Sequence, residues 1–212
     1  MIYIFSALLA LAIAQGFSRI ARRRRALAYG IAAAACVLLL FSTVLNTQGP
    51  AIDILADLIG SGLLPFVLFA IVMFAGCFDT GTKTKSRLMK IHEPLYITAA
   101  VFTCGHIAYS IASHAIRLGS DTLFPWSSAI LIIILIILAA TSTRPARKLL
   151  RAKRWKKTHR LAYMFFFVSC IHSIYACVLL ENMAPSMLYA TTGILYVALK
   201  STACTRPTGS AR

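Results

Sequence analysis

The stretch that decides the fold starts as a basic segment and continues as an apolar helix: Arg154-Trp-Lys-Lys-Thr-His-Arg-Leu-Ala-Tyr-Met-Phe-Phe-Phe-Val-Ser-Cys-Ile-His172. It places His159 at the start of the apolar run and His172 thirteen residues further on. A histidine among apolar side chains needs partners for two ring nitrogens where water is scarce. A second pair, His92 and His106, lies fourteen residues apart on another apolar segment. We therefore expect the two pairs to meet in one functional site.

Composition points to a membrane. Apolar residues make up 59% of the 212 residues, and the mean hydropathy is +0.77. A soluble domain of this length could not bury so much apolar surface, so we predict an all-α integral membrane protein held in a lipid bilayer. The net charge of +16 could indicate nucleic-acid binding. The basic residues stand in short segments between apolar runs, however, so membrane topology explains them and no nucleic-acid partner is expected.

The cysteines give no sign of a metal or covalent haem site. All six stand singly in or beside apolar segments, without a C-x-x-C or C-x-x-C-H motif. They are expected to be small buried hydrophobic residues.

Seven apolar segments are near the roughly 20 residues that a membrane span requires. They are residues 2–18, 26–45, 60–78, 91–114, 125–141, 158–180 and 185–202. Every basic residue except Arg117 falls on one side of the alternating connections: 19–25, 79–90, 142–157 with Arg160, and the end from Lys200. The other side carries Asp53, Asp57, Asp121 and Glu181. This asymmetry predicts a multi-pass protein of the inner (plasma) membrane, with the N-terminus outside and the C-terminus in the cytoplasm. Residues 51–58 are expected to form a short interfacial helix on the outer face.

Helical spacing tests whether each pair can share one partner. Fourteen residues at about 100° each return to within about 40° of the starting face, so His92 and His106 lie on one side of their helix. At about 1.5 Å per residue they are about 21 Å apart, within the roughly 30 Å hydrocarbon thickness. Thirteen residues miss by about 140°. His159 and His172 can thus face one partner only if His159 lies at the helix start, outside regular geometry, or if a kink or π-bulge intervenes.

Two axial imidazoles per iron would let the four histidines hold two stacked haems, which would form an electron path across the bilayer. Arg160, beside His159, and Lys90, beside His92, could pair with the propionates of the inner haem. Tyr96, Tyr163 and Phe165 to Phe167 could line the porphyrin pockets or simply pack between helices. His114 is expected near the outer surface in an interfacial role. The alternative is that the four histidines only pack helices together.

A family resemblance rests on these residues. The pattern His92-x13-His106 with His159-x12-His172, joined to Thr141-Ser-Thr-Arg144 and to the run from Arg154 to Tyr163, resembles the ferric reductase-like transmembrane domain. That superfamily includes ferric reductases, NADPH oxidases and the haem-binding membrane subunit of the periplasmic methionine sulfoxide reductase system. The resemblance covers about residues 55–202.

The resemblance implies a six-helix core with b-type haems, preceded here by an N-terminal helix. It implies that His92 and His159 ligate the inner haem and that His106 and His172 ligate the outer one, with electrons flowing outward. The chain then divides into N-terminal helices with a basic loop (1–50), the haem-binding core (51–203) and a short cytoplasmic tail (204–212). No catalytic side chain is predicted.

Only twelve residues follow Lys200, and no nucleotide-binding fingerprint is present, so the flavin and NAD(P)H modules of full-length reductases are expected to be missing. Electrons are then expected from a separate flavoprotein or from membrane quinol, and their acceptor would be an extracytoplasmic protein or small molecule. A dedicated subunit of the methionine sulfoxide reductase type is the alternative within this class. A histidine-based transporter of metal ions or protons is the alternative from another class. A purely structural membrane anchor would leave the histidine spacing unexplained.

Overall fold

The computed structural model describes residues 2–78, 82–116, 125–142, 149–150, 154–155, 157–179 and 183–205. Within these residues all regular secondary structure is helical, which confirms the predicted all-α class for this part of the chain. The α-helices are α1 (Ile2–Arg23), α2 (Arg25–Val44), α3 (Pro50–Leu55), α4 (Leu63–Phe74), α5 (Lys83–Ile116), α6 (Pro125–Ser142), α7 (Leu161–Leu179) and α8 (Met183–Thr205). A π-helix, Ala56–Gly60, follows α3, and a 3-10 turn, Ala75–Cys77, follows α4.

Each of the seven predicted apolar segments contains a helix. Of the described residues, Arg25–Val44, Leu88–Ser113 and Leu161–Val178 form helices long and apolar enough to cross a membrane. A fourth candidate is the pair Pro50–Gly60 and Leu63–Cys77, whose two parts meet at 45°. Shorter apolar stretches lie in α1 and α6. The candidate spans support the predicted membrane class, and the count of seven spans remains a prediction.

Two helices extend beyond the apolar runs that predicted them. The segment 79–90 is expected to be a connection, yet α5 already begins at Lys83. Its first turn is capped by Thr82, whose hydroxyl accepts a hydrogen bond from the Lys85 N–H at 3.3 Å. Similarly, only Arg24 separates α1 from α2. Hydropathy marks the apolar part of a helix alone, and lysine and arginine are good helix formers that continue it.

Helix α4 is the centre of the bundle. It is apolar on all sides, and residues 63–70 are all buried, as expected for a helix surrounded by others. Helices α1, α5 and α7 pack against it, while α2 packs on α5, and α6 and α8 pack on α7. Helices α5 and α7 carry the histidine pairs, and each packs on α4 without packing closely on the other in the described part of the chain. This arrangement leaves space between the two helices.

Helices α2 and α5 approach each other closely beside His106. The Cys36 thiol of α2 donates to the Val101 carbonyl of α5 at a sulfur–oxygen distance of 3.8 Å. A Cβ atom at Gly105 would overlap the Cys36 sulfur. Glycine at position 105 therefore lets the two backbones come together at this point.

We predict that Gly105→Ala destabilises the bundle by about 1–3 kcal/mol, because the added methyl group overpacks the α2–α5 contact. The measurement is the thermal unfolding midpoint of the purified protein in detergent. Gly30→Ala in α2 is the matched control, since a Cβ there meets nothing within 4 Å. Cys36→Ala should recover part of the loss in the Gly105→Ala background. Equal midpoints for the two glycine variants would contradict the proposed close contact.

Candidate functional site

Two cavities are lined by the four predicted histidines in two pairs. His106 of α5 and His172 of α7 line a cavity of about 330 Å³, here named the His106 cavity. His92 of α5 and His159, just before α7, line a second cavity of about 590 Å³, here named the His92 cavity. Both volumes fall in the range of roughly 300–1,000 Å³ typical of ligand pockets. Phe69 of the central helix α4 lines both cavities and so lies where they adjoin.

The His106 ring is oriented by a hydrogen bond to the backbone. Its Nδ1 lies 2.7 Å from the Gly60 carbonyl oxygen. A carbonyl can only accept, so Nδ1 carries the proton and donates it. The other ring nitrogen, Nε2, is then left with its lone pair, which is the form that binds a metal. Histidine ligands in metal sites are commonly held by such a bond from the second nitrogen.

A break in the helix before α4 shapes this contact. The Ser61 N–H donates to the Ala56 carbonyl five residues back, which is the π-helical spacing, and Gly62 then adopts a left-handed conformation with φ of 79°. A Cβ at Gly62 would lie only 3.3–3.4 Å from the His106 ring atoms. Glycine thus permits both the backbone turn and the flat approach of the ring. This role of Gly62 was not predicted, although the Gly60-Ser-Gly62 sequence inside an apolar run is a signal of it.

His172 of α7 lines the same cavity as His106 of α5. The cavity that they share combines two kinds of side chain. Its aromatic members are Phe66, Phe69, Phe165 and Tyr189. Its polar members besides the histidines include Asp57 and several hydroxyl-bearing residues. The cavity is therefore apolar over part of its surface and hydrogen-bonding over the rest.

His159 lies in a turn before α7, outside regular α-helical geometry, as the thirteen-residue spacing requires. The N–H groups of Arg160, Ala162 and Tyr163 donate to carbonyls three residues back, at 3.2, 3.1 and 3.1 Å. A chain with this 3-10 spacing turns about 120° per residue rather than about 100°, so it changes the direction of the side chain. The turn lets His159 line one cavity with His92 while His172 lines the other.

Trp155 holds the start of this turn. Its ring packs on the His159 ring with centroids 4.2 Å apart, and its indole N–H donates to the Thr141 carbonyl at 3.1 Å. The His159 N–H donates in turn to the Trp155 carbonyl at 2.9 Å. The Trp-x3-His spacing therefore fixes the imidazole against the end of α6.

Charged side chains line the His92 cavity. Arg25 of α2 and Lys90 of α5 are among them, and Arg25 lies 3.9 Å from the Glu93 carboxylate. Arg160, which sequence reasoning proposed for the propionates, is exposed and lines neither cavity in the described part of the chain. Arg25, rather than Arg160, lines the His92 cavity. Sequence reasoning missed Arg25 because α2 is remote in sequence from the histidines.

Most of the predicted aromatic residues line a cavity or pack in the core, whereas Phe167 is 37% exposed and lines neither cavity in the described part of the chain. Tyr96 and Tyr163 line the His92 cavity, and Phe165 lines the His106 cavity. Phe166 is fully buried and stacks on Phe66, with ring centroids 6.0 Å apart, so it packs the core. The Tyr96 hydroxyl is buried and has no hydrogen-bond partner in the described residues. A buried hydroxyl in this state favours a polar partner supplied from the cavity.

Two further predictions concern His114 and the possibility of other metal sites. The side chain of His114 lies outside the described residues. Among the side chains that are described, no three or more His, Cys, Asp or Glu residues are grouped to hold a metal ion. A haem iron needs only two axial side chains, and paired histidines meet that requirement.

Comparison with known proteins finds a partial relative but no matching family model. No family model matches the chain, and no solved structure matches it. An uncharacterized protein of Treponema pallidum (strain Nichols) is 33% identical over 113 residues, which cover 50% of this chain and 31% of that protein. The chain therefore spans less than a third of the relative it matches.

We predict that His106 is the Nδ1–H tautomer, because only a protonated Nδ1 can bond to the Gly60 carbonyl. Nitrogen NMR of the protein labelled with ¹⁵N-histidine would identify the tautomer, with His106→Gln used to assign the signal. Gly62→Ala should disturb this signal, since its Cβ would press on the ring. Gly49→Ala is the control, because a Cβ at Gly49 meets nothing within 4 Å. An Nε2–H tautomer for His106 would contradict the geometry.

Proposed function

We propose that this protein is a b-type dihaem membrane cytochrome that carries electrons from a cytoplasmic flavoprotein or quinol to an extracytoplasmic acceptor. The observation that carries the proposal is the paired lining of the two cavities, each with one histidine from α5 and one from α7 or the turn before it. An iron with two axial imidazoles has no vacancy for substrate and suits outer-sphere electron transfer. In this proposal the protein supplies ligands, burial and spacing.

The donor groups of both cavities fit such a cofactor. In the His106 cavity, the hydrogen bond to Gly60 leaves Nε2 of His106 available as a ligand. In the His92 cavity, Arg25 and Lys90 offer positive charge to the carboxylates of a haem. The Tyr96 hydroxyl, which is buried without a partner in the described residues, could donate to the same polar edge.

The charges around the cavities support the proposed orientation. The His92 cavity is lined by Arg25 and Lys90, which belong to the basic segments assigned to the cytoplasm. The His106 cavity is lined by Asp57, which belongs to the acidic side. We therefore assign the His92 cavity to the cytoplasmic half of an inner-membrane protein with its N-terminus outside. Electrons would enter there and leave through the His106 cavity.

The apolar walls of the cavities have a separate role in this proposal. Phe69 contacts Tyr96 with ring centroids 5.6 Å apart and contacts Phe165 at 4.5 Å. This aromatic group adjoins both cavities, so that apolar rings would stand between the two proposed haems. The positive segments assigned to the cytoplasm could steer an acidic donor protein.

The test is the number and identity of haems in histidine variants. The wild-type protein, expressed with sufficient haem, should contain two b-type haems by pyridine haemochrome assay. His106→Ala and His172→Ala should each lose the same one of these haems, and His92→Ala and His159→Ala should each lose the other, because each haem loses an axial ligand. The reduced-minus-oxidised spectrum of each variant would show which signal is lost.

His114→Ala is the matched control and should keep both haems. Circular dichroism and gel filtration should show that all variants remain folded. A His172→Ala protein with both haem signals intact would contradict the ligand assignment. A haem-free wild-type protein would overturn the electron-transfer function and would favour transport of metal ions or protons.

A further inference from the structure

The His106 cavity has a set of hydroxyl groups that the proposed ligand pair does not explain. Four serines from three helices line it: Ser6 of α1, Ser128 of α6, and Ser169 and Ser173 of α7. Within the described part of the chain, none of the four side-chain hydroxyls forms a hydrogen bond. Their hydroxyls are therefore available to form hydrogen bonds with a molecule that enters the cavity.

The four cavity serines differ in this respect from other serine and threonine residues in the described helices. Serine and threonine in a helix commonly donate to a carbonyl three or four residues earlier. Thr98 does so to Pro94 at 2.9 Å, Thr103 to Ala99 at 2.8 Å, and Ser42 to Leu39 at 2.8 Å. Ser169 and Ser173, which lie well inside α7, could make the same local bonds and do not.

Burial makes the departure significant. Ser6 is only 8% exposed and lines the cavity, and its Oγ remains accessible there. A buried hydroxyl without a partner is unfavourable, and native proteins usually satisfy it with protein groups or water. The four serine hydroxyls are therefore accessible, from within the cavity, to water or to a molecule with hydrogen-bonding groups.

Asp57 marks where the cavity meets solvent. It lines the cavity, yet its side chain is exposed. Among the described residues, no lysine or arginine lines this cavity, whereas Arg25 and Lys90 line the His92 cavity. The opening of the His106 cavity therefore has a negative local charge and a hydrogen-bonding lining.

From these features we infer the class of acceptor that this site reduces; the inference rests on the proposed dihaem function. The acceptor is a small cationic or neutral molecule with hydrogen-bonding groups, which docks at the opening beside Asp57. Anionic acceptors are repelled there. In each encounter the protein loses one electron and the acceptor gains it, and no bond is formed or broken. Asp57 acts as a specificity-determining residue by charge.

The experiment compares oxidation of the haem-loaded, pre-reduced protein by two probes in a stopped-flow instrument. Hexaammineruthenium(III) is a cation with hydrogen-bond donors, and ferricyanide is an anion. At low ionic strength, Asp57→Asn should slow the reaction with the cation and speed that with the anion, changing the ratio of the two rates by about three- to tenfold. The change should shrink as salt is added, because screening shortens from about 30 Å at 0.01 M to about 8 Å at 0.15 M.

Two variants serve as controls. Asp53→Asn removes the same charge from α3, but Asp53 is exposed and does not line the cavity, so its effect should be clearly smaller. Asp57→Glu keeps the charge and should behave as wild type. A change in haem potential would change the driving force for both probes, so both rates would move in the same direction. Selection by charge moves the two rates in opposite directions.

The outcomes separate the two proposals. An unchanged rate ratio in Asp57→Asn, or one equal to that of Asp53→Asn, would overturn the acceptor class and leave the dihaem function standing. Absence of haem in the wild-type protein would overturn the dihaem function before any probe is added. If Asp57→Asn does not retain haem, the salt dependence of the wild-type protein provides the test. The rate of its oxidation by the cationic probe should fall as salt is added, and a rise would refute the inference.

Discussion

The hydrogen bond from His106 to the Gly60 carbonyl is the contact on which the site depends. It exists because the helix before α4 is interrupted, first by the π-helix Ala56–Gly60 and then by the left-handed Gly62. The interruption turns the Gly60 carbonyl toward a side chain of α5, forty-six residues away in sequence. The bond decides which ring nitrogen can act as a ligand. Backbone geometry in one helix thus sets the chemistry of a side chain in another.

The central helix α4 supplies the second constraint. Because α5 and α7 both pack on α4, and not closely on each other in the described residues, the space between them is kept open. Large aromatic side chains on α4, chiefly Phe66 and Phe69, fill the contact with α7 without closing that space. Phe69 adjoins both cavities. One helix therefore spaces its neighbours and divides the cavities that result.

The sequence predicted those features of the protein that depend on local properties of the chain. Hydropathy located a helix in every apolar segment, and the thirteen-residue spacing required the irregular turn at His159 that the structure contains. The position of Arg25 could not be predicted, because it depends on the packing of α2 against α5. The early start of α5 was missed because hydropathy does not register polar helical turns. The left-handed Gly62 looks like any glycine in an apolar run. The haems, the topology and the family resemblance remain predictions.

The two cavities offer the same pair of imidazoles in opposite electrostatic surroundings. Positive charge near a redox centre favours an added electron, and negative charge disfavours it. Arg25 and Lys90 would thus favour an electron in the His92 cavity, whereas Asp57 would disfavour one in the His106 cavity. Glu93, 3.9 Å from Arg25, reduces the first effect. In the proposed orientation, the remaining difference opposes outward transfer. A membrane potential that is negative inside works in the other direction, since it favours outward movement of an electron by about 2.3 kcal/mol per 100 mV across the full bilayer. In this proposal, the field across the membrane would therefore offset the charge asymmetry from which the proposed preference of the outer site for cations follows.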